Sequence, residues 1–292
     1  MPLNDGGGAA RTSVSAVAGA PPRPQIRLVA LDLDGTCLRS DKCLSPATIQ
    51  AVRDCMARGV KMVLASARPP RSCRAIYEQL GLDTLSIHYN GALIHDTARG
   101  RHIFHQPMAL ALARRIIAAA RKIDRECLVS LEILDRWYTD RFDSELTTET
   151  GRTFSPDFVG PLDAFLTVPV TKLMLLAPEA RLAKLTTMIH RRFAGQVGMA
   201  VSDSHLIQLM HHEVDKSAAL AQVAATYGVK AEEVMAIGDA PNDRNMLLWA
   251  GLGVAVGNAW ASVREIADAI VPPNDEDGVA HALQQFVLHE AA

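Results

Sequence analysis

Two hydrophobic patterns alternate along most of the chain. The first is a short, nearly continuous apolar run, as at 26–32 (IRLVALD), 60–66 (VKMVLAS), 85–89, 234–238 and 252–256. Runs without polar alternation predict strands buried on both faces of a parallel sheet. The second is a longer stretch with helix punctuation. Residues 45–58 open on Ser45 as N-cap and Pro46 at the first helical position, and Gly59 follows their end. Those are the residue types that start and stop a helix. Residues 70–80 before Gly81 and 216–227 before Gly228 repeat the form. Further helices are expected at 242–250, 259–267 and 278–289, with a short strand at 269–271. Strands alternating with helices predict an α/β fold built on a doubly wound parallel sheet.

The rhythm breaks between about 94 and 205. That stretch carries strand signals at 93–95 and 102–105, a long helix at 108–124 and paired strands near 128–134 and 137–140. A strand at 171–176, a helix at 179–193 and a strand at 199–202 follow, and 147–161 (TTETGRTFSPDFVGP) reads as a loop. This predicts an α+β unit inserted into the first. The expected organisation is a tail over 1–25, a discontinuous core over 26–93 and 206–292, and an inserted cap over 94–205.

Composition narrows the partners. The chain has 292 residues, 49% of them hydrophobic, enough for one large or two modest domains. Lys plus Arg total 30 and Asp plus Glu 32, a net charge of -2. Without a basic bias, neither a nucleic-acid nor a membrane-surface partner is expected. No apolar run approaches the ~20 residues of a membrane span. The Gly-, Ala-, Ser- and Pro-rich start reads as a tail, because a secretory signal needs a longer apolar stretch. The five cysteines form no Cys-x-x-Cys pair, which argues against zinc or a disulfide framework and for a reducing, cytoplasmic setting. Oligomeric state is not indicated.

Acidic clusters close two of the buried runs. Asp32-Leu33-Asp34-Gly35-Thr36 ends the first strand, where open α/β sheets place ligands. Side-chain alternation expects Asp32 and Asp34 on one side of the chain, where two carboxylates call for a cation or a shared proton. Gly35 allows the backbone to approach a phosphate closely. Ser66 ends the second strand and offers a hydroxyl. Lys216 opens a helix, where free N–H groups already attract anions. Gly238-Asp239-Ala240-Pro241-Asn242-Asp243 ends a further strand with more carboxylates and an amide, and Asn242 is a candidate N-cap. Mg²⁺ favours a few carboxylates with waters and substrate oxygens. Asp239 with Asp32 fits that set, and Asp243 can hold a metal-bound water.

Together these four clusters resemble the haloacid dehalogenase (HAD) superfamily of phosphohydrolases, in the family's order and on the family's elements. The long insert between Ser66 and Lys216 is similar to a C2-type α/β cap, the mark of the Cof-like (type IIB) subgroup. Asn90-Gly91-Ala92 before the insert and Asn274 to Ala280 near the end fit the same subgroup. The resemblance spans Ile26 to the C-terminus. It implies a Rossmann-like HAD core and a Mg²⁺-dependent phosphatase acting on small phosphorylated metabolites through an aspartyl-phosphate. By that resemblance Asp32 is the nucleophile and Asp34 the acid, then the base. Asp32, Asp34 through its backbone carbonyl, and Asp239 are metal ligands, with Asp243 in support. Ser66, Lys216 and Gly35 bind phosphate, and Asn90, Gly91, Arg68 and Asn242 face the substrate. The second motif departs from the common form, reading Ala-Ser-Ala-Arg for Ala-Thr-Gly-Arg. A phosphomutase of the same fold and a receiver-like phosphorylated module without turnover remain the alternative readings.

Overall fold

The computed structural model describes residues 25–146 and 150–288. The expected tail lies outside them except for Gln25, as do 147–149 of the expected loop and His289 of the last helix. The first half runs β1 (Leu28–Leu31), α1 (Pro46–Ala57), β2 (Lys61–Leu64), α2 (Pro70–Leu80), β3 (Leu85–His88), β4 (Leu93–Asp96), β5 (Arg101–His105), α3 (Leu110–Ile123), β6 (Leu128–Ile133), β7 (Arg136–Thr139) and β8 (Phe158–Val159). The second half runs β9 (Lys172–Leu176), α4 (Glu179–Phe193), β10 (Val197–Asp203), β11 (Leu206–His211), α5 (Lys216–Thr226), β12 (Val234–Gly238), α6 (Arg244–Trp249), β13 (Leu252–Val256), α7 (Ala261–Arg264), β14 (Ala269–Val271) and α8 (Gly278–Leu283).

Five strands form an all-parallel sheet in the order β14-β13-β12-β1-β2. β1 lies between β12 and β2 and every residue of it is buried, as a strand covered by helices on both faces must be. A bridge between Ala65 and Ile87 carries the layer on toward β3, which opens a three-stranded antiparallel sheet with β4 and β5. The predicted start of α1 is realised: the Ser45 hydroxyl accepts a hydrogen bond from the Thr48 N–H at 3.0 Å, ahead of Pro46.

The insert forms a six-stranded sheet in the order β10-β11-β9-β6-β7-β8. Alternation divides its faces. Val129, Leu131, Leu173, Leu175, Ile207 and Leu209 pack with Ile116 and Leu185 of α3 and α4. Leu128, Met174, Leu176 and Leu206 lie in a separate cluster on the opposite face. Among the described residues, no helix contributes to that second cluster.

Four expectations need correction. β4 and β5, expected inside the insert, pair with β3 instead, and Ile94 packs in the core, so the first crossing lies beyond His105. Leu206–His211 is not the return into the core. It is β11, paired antiparallel to both β9 and β10, so the second crossing lies beyond His211. Its mixed polarity (LIQLMH) hid it, because Gln208 interrupts the apolar run. The expected loop contains β8, paired to β7. The helix expected from Asn242 begins at Arg244, after a 3₁₀ turn over Pro241–Asp243.

Candidate active site

Each acidic cluster arrives at the same rim because parallel strands share one direction. Asp32 follows the last residue of β1, Ser66 lies just past β2, and Asp239 follows β12. Lys216 is the first residue of α5, whose N-cap Asp215 accepts from the Ser217 N–H at 2.7 Å. The Lys216 ammonium is buried and donates to Asp32 Oδ1 and to Asp243 Oδ1, both at 2.6 Å. One oxygen each from Asp32, Asp239 and Asp243 lie within 4.8 Å of one another. The carboxylates at positions 32 and 239 are therefore close enough to share one ion.

Asp243 is held by more than the lysine. Its Oδ2 accepts from the backbone N–H groups of Asp239 and Ala240, each at 3.0 Å. It is Asp243, not Asn242, that satisfies the start of this turn; the Asn242 amide instead donates to Asn90 Oδ1 at 2.9 Å. Thr36 donates to Asp239 Oδ1 at 2.7 Å. Gly35 has φ +79°, and a Cβ there would stand 2.6 Å from Asp239 Oδ2. The position requires glycine for its backbone angle and for the carboxylate beside it.

Burial and mutual repulsion dominate the electrostatics. Burial first, then the Asp243 carboxylate, push the Asp32 pKa up to about 8 against the lowering pull of Lys216. Burial raises Asp239 to about 6, with the Thr36 hydrogen bond opposing and Asp243 reinforcing. Three carboxylates against one ammonium leave the group short of positive charge.

Asp34 is placed differently. β1 ends at Leu31, so strand alternation does not extend to it. Its carboxylate lies outside the buried trio and is clamped by Arg68, with Nε at 2.6 Å and Nη2 at 2.5 Å, and by Lys42 at 3.1 Å. Burial raises its pKa, but Arg68 and Lys42 outweigh that and hold it below the ordinary carboxylate value. As a metal ligand Asp34 has only its backbone carbonyl to offer. Ser66 is buried and its hydroxyl accepts from the Arg68 N–H at 3.1 Å. Gly91 packs on the chain, where a Cβ would meet the Asp215 carbonyl at 2.3 Å.

A cleft of about 470 Å³ opens from Asp34 and Arg68 toward the insert's sheet, reaching Arg71, Glu132, Lys172 and Gln208. Its size suits a small organic ligand. Sequence reading missed Thr36, Lys42, Arg71, Glu132 and Lys172. A signal existed for two of them: Glu132 and Lys172 are charges inside otherwise apolar strands (LVSLEI, KLMLL). The five cysteines are free thiols, and no helix among the described residues is long and apolar enough to cross a membrane.

Comparison with known proteins agrees with this arrangement. A family model for haloacid dehalogenase-like hydrolases matches residues 29–283. The Bacillus subtilis 5-amino-6-(5-phospho-D-ribitylamino)uracil phosphatase YitU is 30% identical, over 89% of this chain and 97% of its own. The putative phosphatase YxeH of the same organism is 31% identical over 90% and 98%. A crystal structure of a haloacid dehalogenase-like hydrolase from Bacteroides thetaiotaomicron superposes with a TM-score of 0.82 at 26% identity, covering 89% of this chain and 99% of that one. Parallel sheet, acidic rim, inserted unit and matched sequence converge: the chain belongs to the haloacid dehalogenase-like hydrolases.

Proposed function

We propose that this phosphoric monoester hydrolase cleaves small phosphorylated metabolites with Mg²⁺ as cofactor, Asp32 as nucleophile and the inserted unit as a cap over the cleft. The observation that carries the reading is the meeting of Asp32, Asp239 and Asp243 around Lys216, with Asp34, two residues on from Asp32, lining the cleft. The donor set fits a hard divalent cation: it is all oxygen, acidic and short of positive charge. The missing Cβ at Gly35 keeps Asp239 in place for it. Asp32, Asp239 and the Asp34 carbonyl would hold the ion, with Asp243 supporting. Bound there, Mg²⁺ supplies charge neutralisation for the phosphate and for the crowded carboxylates.

The chain's own residues then divide the reaction into two in-line displacements. An Asp32 oxygen bonds to phosphorus as the bond from phosphorus to the leaving alkoxide breaks, and Asp34 gives that alkoxide a proton. Water then attacks phosphorus as Asp34 takes its proton, releasing inorganic phosphate and restoring the Asp32 carboxylate. Lys216 and the Ser66 hydroxyl bind phosphate oxygens. Asp34 as held by Arg68 is ionised, the state the second step needs. The first step needs Arg68 to release it, and incoming phosphate oxygens compete for that guanidinium. Asn90 and Asn242, joined by their own hydrogen bond, border the same rim.

The test is Mg²⁺-dependent phosphate release from a panel of phosphate esters, including phosphorylated polyols of the kind named for YitU. Wild type turns over and Asp32→Asn loses at least ~10³-fold. Asp34→Asn slows release while phosphate still binds. Inert wild type, or a phosphoprotein that persists without turnover, refutes the reading.

A further inference from the structure

The cap sheet turns a polar strip toward the cleft. Glu132 on β6 and Lys172 on β9 are direct cross-strand partners, and both line the cleft together with Gln208 of β11. Their neighbours on that face, such as Met174 and Leu206, are apolar. Glu132 is already engaged. Arg71 of α2 reaches across and gives its Nη2 to both Glu132 oxygens, at 2.6 and 2.8 Å, and the Tyr89 hydroxyl adds a bond to Oε2 at 3.2 Å. Arg71 also pairs with Asp135 at 3.2 Å.

Lys172 is the exception. Its side chain is buried, yet among the described residues its ammonium has no hydrogen-bond acceptor; the Tyr89 ring lies 5.1 Å from Nζ to the centroid. Its ammonium borders the open space of the cleft, so an oxygen that a substrate places there can become its acceptor. Burial lowers its pKa, with Glu132 pulling the other way. Arg71 is taken up by Glu132 and Asp135, and a neutral oxygen acceptor satisfies the lysine without burying a further charge beside Glu132.

We infer that Lys172 is the specificity residue of the cap, donating to an oxygen of a neutral, polyhydroxylated leaving group while Glu132 accepts from a neighbouring hydroxyl. The inference rests on the phosphatase reading, which holds the phosphorus at Asp32 and so directs the leaving group along the cleft. A leaving group without acceptors strands the lysine, and sites built this way discriminate strongly against such analogues.

The experiment measures kcat/KM for full-length wild type and Lys172→Met on five esters. These are glucose 6-phosphate, ribose 5-phosphate, sorbitol 6-phosphate, 3-phosphoglycerate and phenyl phosphate. Wild type prefers its best polyol ester to phenyl phosphate, and Lys172→Met reduces that preference by about ten- to a hundredfold, with phenyl phosphate changed less than about twofold. The ratio is the informative quantity, because a folding defect that lowers the active fraction scales both esters equally. Lys172→Gln, which keeps a donor, recovers part of the ratio. An unchanged ratio in Lys172→Met overturns the inference. So does wild type that accepts phenyl phosphate as readily as any polyol ester, or that prefers 3-phosphoglycerate. Wild type inert on every ester, or turnover that survives Asp32→Asn, overturns the inference and the phosphatase reading together.

Discussion

Replacing Lys216 by methionine tests the electrostatic core of the site. The ammonium is the only cation the structure shows within hydrogen-bond reach of Asp32 and Asp243 among the described residues, and it contacts both at 2.6 Å in a fully buried setting. Methionine fills nearly the same volume, so packing is largely kept. What is lost is the counter-charge. Removing one partner of a buried pair costs about 3–5 kcal/mol, because the other charge stays buried and alone. The carboxylates can reduce that loss by taking up a proton. The folded pKa of Asp32, already about 8, then rises further above the unfolded value near 3.8. A raised carboxylate pKa lowers stability as pH climbs from the unfolded to the folded value, and because Asp32 lies near 8 in wild type the two proteins diverge above that pH. In chelator, urea unfolding should show the gap between Lys216→Met and wild type widening from about pH 8 upward, toward several kcal/mol. A variant that also carries Asp243→Asn should recover at least ~1 kcal/mol relative to the sum of the single changes. It should not recover activity. A gap that does not widen above about pH 8 would refute the reasoning.

Other consequences are equally direct. Gly35→Ala forces a left-handed alanine, costing about 1–2 kcal/mol of stability. It also displaces Asp239, so Mg²⁺-dependent turnover should fall by about a hundredfold; unchanged turnover would contradict the assigned close approach. Arg68→Met releases Asp34 from its strongest clamp and raises its pKa, so the acid limb of the kcat–pH profile should move to higher pH, and an unmoved limb would argue against Asp34 as the base. His88 is buried between the Ser86 hydroxyl at 2.8 Å and the Arg68 carbonyl at 3.2 Å. Burial, with His95 adding, lowers its pKa from 6.5 to about 3. The unfolded chain therefore binds the proton first, and stability falls by up to about 1.4 kcal/mol per unit as pH drops below 6.5. His88→Gln should flatten that slope in denaturation curves, and an identical slope would remove His88 as its source.

Local pattern determined a great deal here. Buried runs such as LVAL and VMAIG can only be strands with both faces covered, and Ser45-Pro46 can hardly be other than a helix start, because backbone sterics act within a few residues. Asp32 to Thr36 and Gly238 to Asp243 are contiguous, so their chemistry was legible as text, and shared strand direction brought them to one rim. Tertiary structure alone decided the pairings. It sent the Asp34 carboxylate to Arg68 and Lys42 while Asp243 turned to Lys216. It set Arg71 against Glu132, left Lys172 beside them without an acceptor, and drew β11 into the cap sheet. Such contacts join residues far apart in the chain, and a charge's partner follows from distance and burial, which no local periodicity encodes.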